Sequence, residues 1–309
     1  MSRYPFGIGN SWYLIAFSDE LASGDVRRLE YLDRDLVAFR GESGQVAVLD
    51  AHCPHLGAHL GVGGKVVGDT IQCPFHGWRW STEGECAAIP YSDRGPSQAR
   101  AVSYPVLERN GMIFIWYHAR DEAPSFEIPE ISQWGESGWL SSWLRWEWTL
   151  KTHPQEMAEN GVDWPHFGGV HGMQMPEQRG CDFKPGYYTW QIGATKAMST
   201  LEDRSDKLML YGENWGLGYS WLRQTGQFET IVATGLTPID NETTHVRMGV
   251  IALMDGRAES ELEAYMQEHA VFAEQDFAIW ENKKYREKPP LCEADGPIIE
   301  FRRWAAQFY

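Results

Sequence analysis

Cys53-Pro-His55 and Cys73-Pro-Phe-His76 place one thiol and one imidazole on each of two short segments. Two cysteines can hold one iron of a [2Fe-2S] pair while two histidines hold the other, and neutral imidazole donates less negative charge than thiolate, which raises the reduction potential. Pro54 and Pro74 stiffen each loop just after its cysteine, and Gly57, Gly61, Gly63, Gly64 and Gly77 allow backbone to approach sulfur closely. The same four residue types also make a tetrahedral zinc set. A zinc finger, however, puts two cysteines on one knuckle and two histidines on a helix, whereas here each loop carries one of each. His52 and His59 fall outside the spacing and read as loop or surface histidines.

A second constellation reads Glu159-Asn160-Gly-Val-Asp163-Trp-Pro-His166-Phe-Gly-Gly-Val-His171. His166 and His171 are five positions apart, so an ideal helix would turn them about 140° from each other. A kink or helix end is therefore expected, and Gly168 and Gly169 make it cheap. His, Asp and Gly also crowd ordinary turns, so this segment alone fits either reading. Two histidines with one carboxylate would make the open facial triad of a non-haem Fe(II) site. Asp276 is the candidate carboxylate. It falls within a stripe at helical spacing made by Leu262, Met266, Ala273 and Trp280, flanked by Tyr265 and Phe272, while Glu268, Glu274 and Glu281 fall on the other side. A buried carboxylate is costly unless it is paired or bound to metal, so a salt bridge or helix–helix hydrogen bond is the alternative. His269 shares the stripe as a partner to the site or a satisfied core histidine.

These residues need a scaffold. From Trp12 to about Tyr117 the chain reads as short alternating strands broken by Gly and Asp turns, with both cysteine loops between strands: a small β domain over residues 1–120. The proline-punctuated acidic stretch Asp121–Glu130 reads as a linker. Residues 121–309 hold aromatic-rich strand-like runs from Trp139 to Leu150, Tyr187 to Gln191, Leu208 to Tyr211, Tyr219 to Arg223 and His245 to Met254, with two helical patches. That second domain is expected to be α+β with a largely antiparallel sheet. Trp143, Trp146, Trp148, Met173, Met175, Trp190, Trp215 and Trp221 could line a pocket there or simply be core.

At 43% hydrophobic content with 15 tryptophans, the 309 residues can bury substantial cores. A net charge of −16 argues against a nucleic-acid partner, whose phosphates need a basic surface. No apolar run approaches the roughly 20 residues of a membrane helix, and no leader is expected at the N-terminus. Cys86, Cys181 and Cys292 form no disulfide framework and read as inert thiols in a reducing, cytoplasmic setting.

On both motifs, in this order and at this spacing, the chain resembles the oxygenase (α) components of the Rieske non-haem iron oxygenases. Val48–Cys53, Cys73–Trp80, Gly84–Tyr91, Leu107–Gly111 and Glu159–Asp163 make it most similar to the ketosteroid 9α-hydroxylase and sterol-oxidising group. The resemblance implies a Rieske [2Fe-2S] domain followed by a helix-grip (START-like) catalytic domain. It implies that Cys53, His55, Cys73 and His76 bind the cluster, that His166, His171 and Asp276 bind Fe(II), and that Asn160 lies near the iron. Asp163 would link the two centres, bonding a cluster histidine of a neighbouring subunit and a histidine of its own iron site in a homotrimer. Electrons would come from an NAD(P)H-dependent reductase or ferredoxin, and the enzyme would use O2 to oxidise a C–H bond of a hydrophobic, steroid-like molecule. Asp276 is matched by local context rather than by a rigid motif, and the chain is short for the family after it, which implies missing or rearranged elements around the pocket. The rivals are a Rieske O- or N-demethylase for a small aromatic or amine, and a non-catalytic Rieske electron carrier.

Overall fold

The computed structural model describes residues 3–173, 178–197, 205–226 and 228–309. The chain divides into two compact units, Tyr13–Pro124 and a second unit made of Ser125–Tyr309 with the residues up to Trp12. The N-terminal residues join the second unit through specific bonds: Trp12 Nε1 donates to the Phe126 carbonyl at 2.7 Å, and Asn10 N to the Phe308 carbonyl at 2.7 Å. The division falls within the acidic Asp121–Glu130 stretch, which carries no helix or strand.

The first unit is all β. Strands β1 (Ser11–Phe17), β2 (Val26–Tyr31), β3 (Arg34–Arg40), β4 (Val46–Asp50), β5 (Lys65–Val67), β6 (Thr70–Gln72), β7 (Arg79–Trp80), β8 (Cys86–Ala88), β9 (Ser103–Tyr104), β10 (Val106–Arg109) and β11 (Met112–Tyr117) form three small sheets. Their orders are β1-β11-β10, β2-β3-β4-β9 and β5-β6-β7-β8. Several strands do not alternate as a half-exposed sheet would: Leu36–Phe39 and Met112–Trp116 are buried throughout, the pattern of strands covered on both faces. Asn110-Gly111 closes the β10–β11 hairpin with both residues at positive φ (56° and 70°), the two-residue turn whose twist matches the strands.

The second unit is a seven-stranded antiparallel sheet that holds a long helix. Its strands are β12 (Leu144–Leu150), β13 (Gln178–Lys184), β14 (Tyr187–Ala197), β15 (Ser205–Trp215), β16 (Tyr219–Thr225), β17 (Thr230–Pro238) and β18 (Thr244–Ala252), in the order β12-β18-β17-β16-β15-β14-β13. Between β12 and β13 lie the short helices α1 (Pro154–Ala158) and α2 (Trp164–Gly169). Helix α3 (Glu259–Asn282) has no internal Gly or Pro and presents Leu262, Tyr265, Met266 and Ala270 to Val232, Met248 and Val250 of the sheet. Helix α4 (Ile298–Ala305) lies outside the two helical patches expected from sequence. Its buried Ile298, Phe301, Trp304 and Ala305 pack with Tyr188 and Ile192 of β14.

Two buried polar devices hold the segment from α1 to α2. His153 caps α1: its Nδ1 accepts from Gln155 N at 3.1 Å, so Nε2 carries the proton donated to the Gly7 carbonyl at 3.1 Å. Arg302 of α4 forms a bidentate pair with Glu159, Nε to Oε2 at 2.7 Å and Nη2 to Oε1 at 3.0 Å. That pair anchors the turn Glu159–Gly161. Removing one partner strands a buried charge. Arg302→Leu should lower unfolding free energy by about 3–5 kcal/mol in urea melts, and adding Glu159→Gln should recover much of the loss.

Burial pushes the pKa of His153 down to about 4. As pH falls below the unfolded value of about 6.5, the unfolded chain takes up a proton that native His153 refuses, so stability declines until the native ring also protonates. Urea midpoints should therefore fall between about pH 6.5 and pH 4, and His153→Asn, which keeps a capping oxygen without a titrating ring, should flatten part of that fall.

Candidate metal centres

The two cysteine loops are built alike. Cys53–Gly57 follows β4, and Cys73–Gly77 joins β6 to β7. In each, a glycine N–H returns to the cysteine carbonyl, Gly57 to Cys53 at 2.9 Å and Gly77 to Cys73 at 3.1 Å. Each cysteine N–H is taken by the carbonyl beyond the glycine, Ala58 at 2.9 Å and Trp78 at 2.7 Å. Both glycines have positive φ, 76° and 72°, a conformation other residues resist. The backbone groups at these turns are thus paired locally, and packing aims the side chains.

Cys53 and Cys73 are buried in the core of the unit, whereas His55 and His76 are half-buried at its rim with ring centroids 4.8 Å apart. His55 stacks on Trp78 at 4.4 Å. Burial pushes the Cys53 thiol up, opposed by the His55 backbone N–H and the Trp80 indole. Trp80 Nε1 is buried with no hydrogen-bond partner and neighbours Cys53, where a metal-bound thiolate would satisfy it. These residues fit a [2Fe-2S] cluster.

Among the described residues, the one group of His, Cys, Asp and Glu side chains close enough to share a single ion is His166, His171 and Asp276, whose ligand atoms lie within 4.8 Å of one another. Cys53, His55, Cys73 and His76 are not among such single-ion groups.

His166 sits inside α2, and His171 lies just past its end, after Gly168 and Gly169. This helix end brings the rings to 5.2 Å between centroids. Asp276 reaches them from α3, with Oδ2 3.4 Å from His171 Nε2. Each histidine engages an acceptor through Nδ1: His166 bonds the Asp163 backbone carbonyl and His171 bonds Gln275 Oε1 at 2.8 Å. Both rings thereby keep Nε2 for a metal. Burial lowers the pKa of His166, favouring the neutral imidazole that ligates. Gln275 was missed by sequence reasoning; its only signal is its place beside Asp276.

Asn160 joins the group from the turn after α1. Its Nδ2 donates to Asp276 Oδ2 at 3.0 Å and lies 3.5 Å from His166 Nε2. Trp280 Nε1 donates to Asn160 Oδ1 at 3.4 Å, which fixes which way the amide points. Asp163 occupies the N-cap position of α2 without a side-chain capping bond and is half-buried, and burial raises its pKa. Its bond to His166 runs through the backbone carbonyl. His269 faces Thr230 Oγ1, 3.1 Å from its Nε2.

The triad lies on the wall of a cavity of about 190 Å³ whose lining is mostly apolar, including Trp148, Leu222, Val232, Met248, Phe272 and Phe277. Of the tryptophans and methionines considered from sequence, Trp148 and Trp190 line this cavity and Met173 an adjoining one. Trp143 instead stacks on Trp134, and Trp215 and Trp221 donate to Glu213. Met175 lies outside the described residues. An iron fits this donor set. Asp276→Ala should drop iron from about three to about two per chain while leaving about two acid-labile sulfides and the red-brown spectrum, as measured by metal and sulfide analysis.

Comparison with known proteins agrees with this geometry. Residues 11–105 match the Rieske [2Fe-2S] domain family and residues 115–309 the 3-ketosteroid 9α-hydroxylase C-terminal domain family. A 3-ketosteroid-9-alpha-monooxygenase oxygenase component of Rhodococcus rhodochrous is 32% identical, over 99% of this chain and 82% of its own length. A cholesterol 7-desaturase of Caenorhabditis elegans is 34% identical over 97% of this chain and 76% of its own. Among solved structures, dicamba monooxygenase bound to dicamba superposes with a TM-score of 0.76 at 19% identity, covering 97% of this chain and 96% of that one. Pseudomonas putida CBB5 NdmA with caffeine superposes with a TM-score of 0.79 at 18% identity, covering 96% and 89%. With two family domains in this order and relatives above 30% identity along nearly the whole of this chain, the chain belongs to the Rieske non-haem iron oxygenases, in the 3-ketosteroid 9α-hydroxylase group, and is an oxidoreductase with a [2Fe-2S] cluster and a non-haem iron.

Proposed function

We propose that this chain is the terminal oxygenase component of a monooxygenase system, which takes electrons from an NAD(P)H-dependent reductase or ferredoxin and oxidises a C–H bond of a neutral, steroid-like substrate with O2. The observation that carries the substrate class is the cavity: its wall is apolar, and among the described residues that line it there is no lysine or arginine to receive an anionic substrate. The relatives named for 3-ketosteroid and cholesterol oxidation favour the same class.

The residues divide the work. Cys53, His55, Cys73 and His76 would hold the cluster, and His166, His171 and Asp276 the iron; when bound, the cluster supplies single electrons and the iron the chemistry that reduces O2. Among the described residues, three ligand side chains converge on the iron position, a set that would leave coordination sites for O2 and substrate. Asn160 holds the Asp276 carboxylate in place by its hydrogen bond. Phe272, stacked on His171 at 3.7 Å, and Phe277 help exclude water and position a carbon against the triad.

Asp163 serves as the link between centres in this reading, its carboxylate reaching the cluster histidine of a neighbouring subunit in a homotrimer. The resemblance to the family supports this role, as does the place of Asp163 beside His166. The absence of any disulfide-forming cysteine pair among the five supports a cytoplasmic setting, and no described helix is long and apolar enough to cross a membrane.

A screen that follows NADH and O2 consumption with a reconstituted reductase should show turnover of 3-ketosteroids or sterols and none of anisoles or N-methyl amines. The reverse pattern would favour a demethylase. Asp163→Asn should keep full iron and sulfide content yet lose most turnover, and sedimentation should give a trimer. A fully active monomer would contradict the role given to Asp163.

A further inference from the structure

Three polar side chains make a row across the floor of the iron-site cavity and take no part in holding metal. Asn214 of β15 stands opposite Ser220 of β16, and Ser220 opposite Thr234 of β17. Directly opposed residues share one face of a sheet, and all three line the cavity that contains His166, His171 and Asp276. The surroundings are apolar: Met248 continues the row on β18, and Leu222 and Val232 form the next row of the same face.

Asn214 is only 6% exposed, a place where an amide needs hydrogen-bond partners. One is supplied by Trp190, whose Nε1 donates to Asn214 Oδ1 at 3.0 Å. An indole N–H can only donate, so the oxygen side of the amide must face Trp190, and the NH2 group is turned away from it. The ring is held there by two close approaches. A Cβ on Gly212 would lie 2.2 Å from the Trp190 ring, and one on Gly161 would lie 2.9 Å from its Nε1. Among the described residues no group accepts from Asn214 Nδ2, and none pairs with the hydroxyls of Ser220 or Thr234.

We propose that Asn214, with Ser220 and Thr234 beside it, binds the oxygen function of the substrate. Nδ2 donates to a carbonyl or hydroxyl oxygen, and the two hydroxyls donate to it or accept from it. The cavity then takes an otherwise apolar, neutral molecule bearing a ketone or an alcohol, and the row sets which carbon faces the triad. This inference deepens the proposed oxidation of steroid-like compounds and rests on it.

The test is equilibrium dialysis of the iron- and cluster-loaded enzyme, without oxygen, against 5α-androstan-3-one, 5α-androstan-3-ol and the hydrocarbon 5α-androstane. Asn214→Leu should weaken the ketone and the alcohol by about tenfold and leave the hydrocarbon unchanged or tighter. Asn214→Asp keeps the shape and replaces the donor with an acceptor. It should weaken the ketone to a similar extent but spare the alcohol, whose own O–H can donate to the new carboxylate, and it decides the matter if the leucine variant does not fold. Equal weakening of all three ligands, or of none, in the variants that retain iron and sulfide would overturn the role of Asn214 while leaving the steroid-like reading intact. Failure of the unaltered enzyme to bind any of the three would overturn both.

Discussion

A carboxylate buried inside a largely apolar cavity is the constraint around which the second unit is arranged. Asp276 is 6% exposed, and such a group is stable as an anion only with hydrogen bonds and a cation nearby. The chain answers from three directions. Helix α3 delivers the carboxylate between Ala273 and Trp280, Asn160 donates to it at 3.0 Å, and His171 Nε2 stands 3.4 Å away. A divalent cation bound among these groups would complete the compensation, since the two imidazoles add donors without adding charge. The demand then spreads outward. Asn160 lies on a short turn that is itself tied down by Glu159 and Arg302, so helix α4, remote in sequence, is part of what holds the metal-facing side chains in place.

The same device orients an amide on two walls of the cavity. Trp280 Nε1 donates to Asn160 Oδ1, and Trp190 Nε1 donates to Asn214 Oδ1. Because an indole has no acceptor atom, each contact decides which end of an asparagine faces inward. In one case the inward NH2 meets Asp276; in the other it is left for an occupant of the cavity. Gly212, in the middle of β15, and Gly161, at the end of the Glu159–Gly161 turn, serve this arrangement, because they clear the volume that the Trp190 ring fills.

What was legible in the sequence was the chemistry carried by local spacing. The two cysteine–histidine loops, the histidines flanking a glycine pair, and the one acidic residue on the apolar stripe of α3 all depend on residues within a few positions of each other, and the structure places His166, His171 and Asp276 together. The strand-rich first unit and the antiparallel sheet of the second were also readable from apolar runs and turn residues. What could not be read depends on pairing between distant segments. Asn214, Ser220 and Thr234 sit on three strands, and nothing in their local sequence says that they share a row; that follows from the register of the ladder. Gln275 is exposed and ordinary until His171 packs beside it. Helix α4 is eight residues long, too short for periodicity to separate it from a loop.

The division between local and long-range information maps onto a division of function. The candidate metal ligands lie in α2 and just past its end, in α3 and in the cysteine loops, each within a few positions of the residues that made it recognisable. Discrimination among substrates cannot come from those residues. An apolar wall distinguishes shapes only weakly, by about 1–3 kcal/mol for a methylene added or removed, whereas a site built to hydrogen-bond a particular group rejects an analogue lacking it far more strongly. In a cavity lined as this one is, the polar row on the sheet is therefore the feature with the greatest leverage over which molecule binds and how it lies. Asn214, Ser220 and Thr234 lie on strands apart from His166, His171 and Asp276, so a change in the polar row leaves the candidate metal ligands in place.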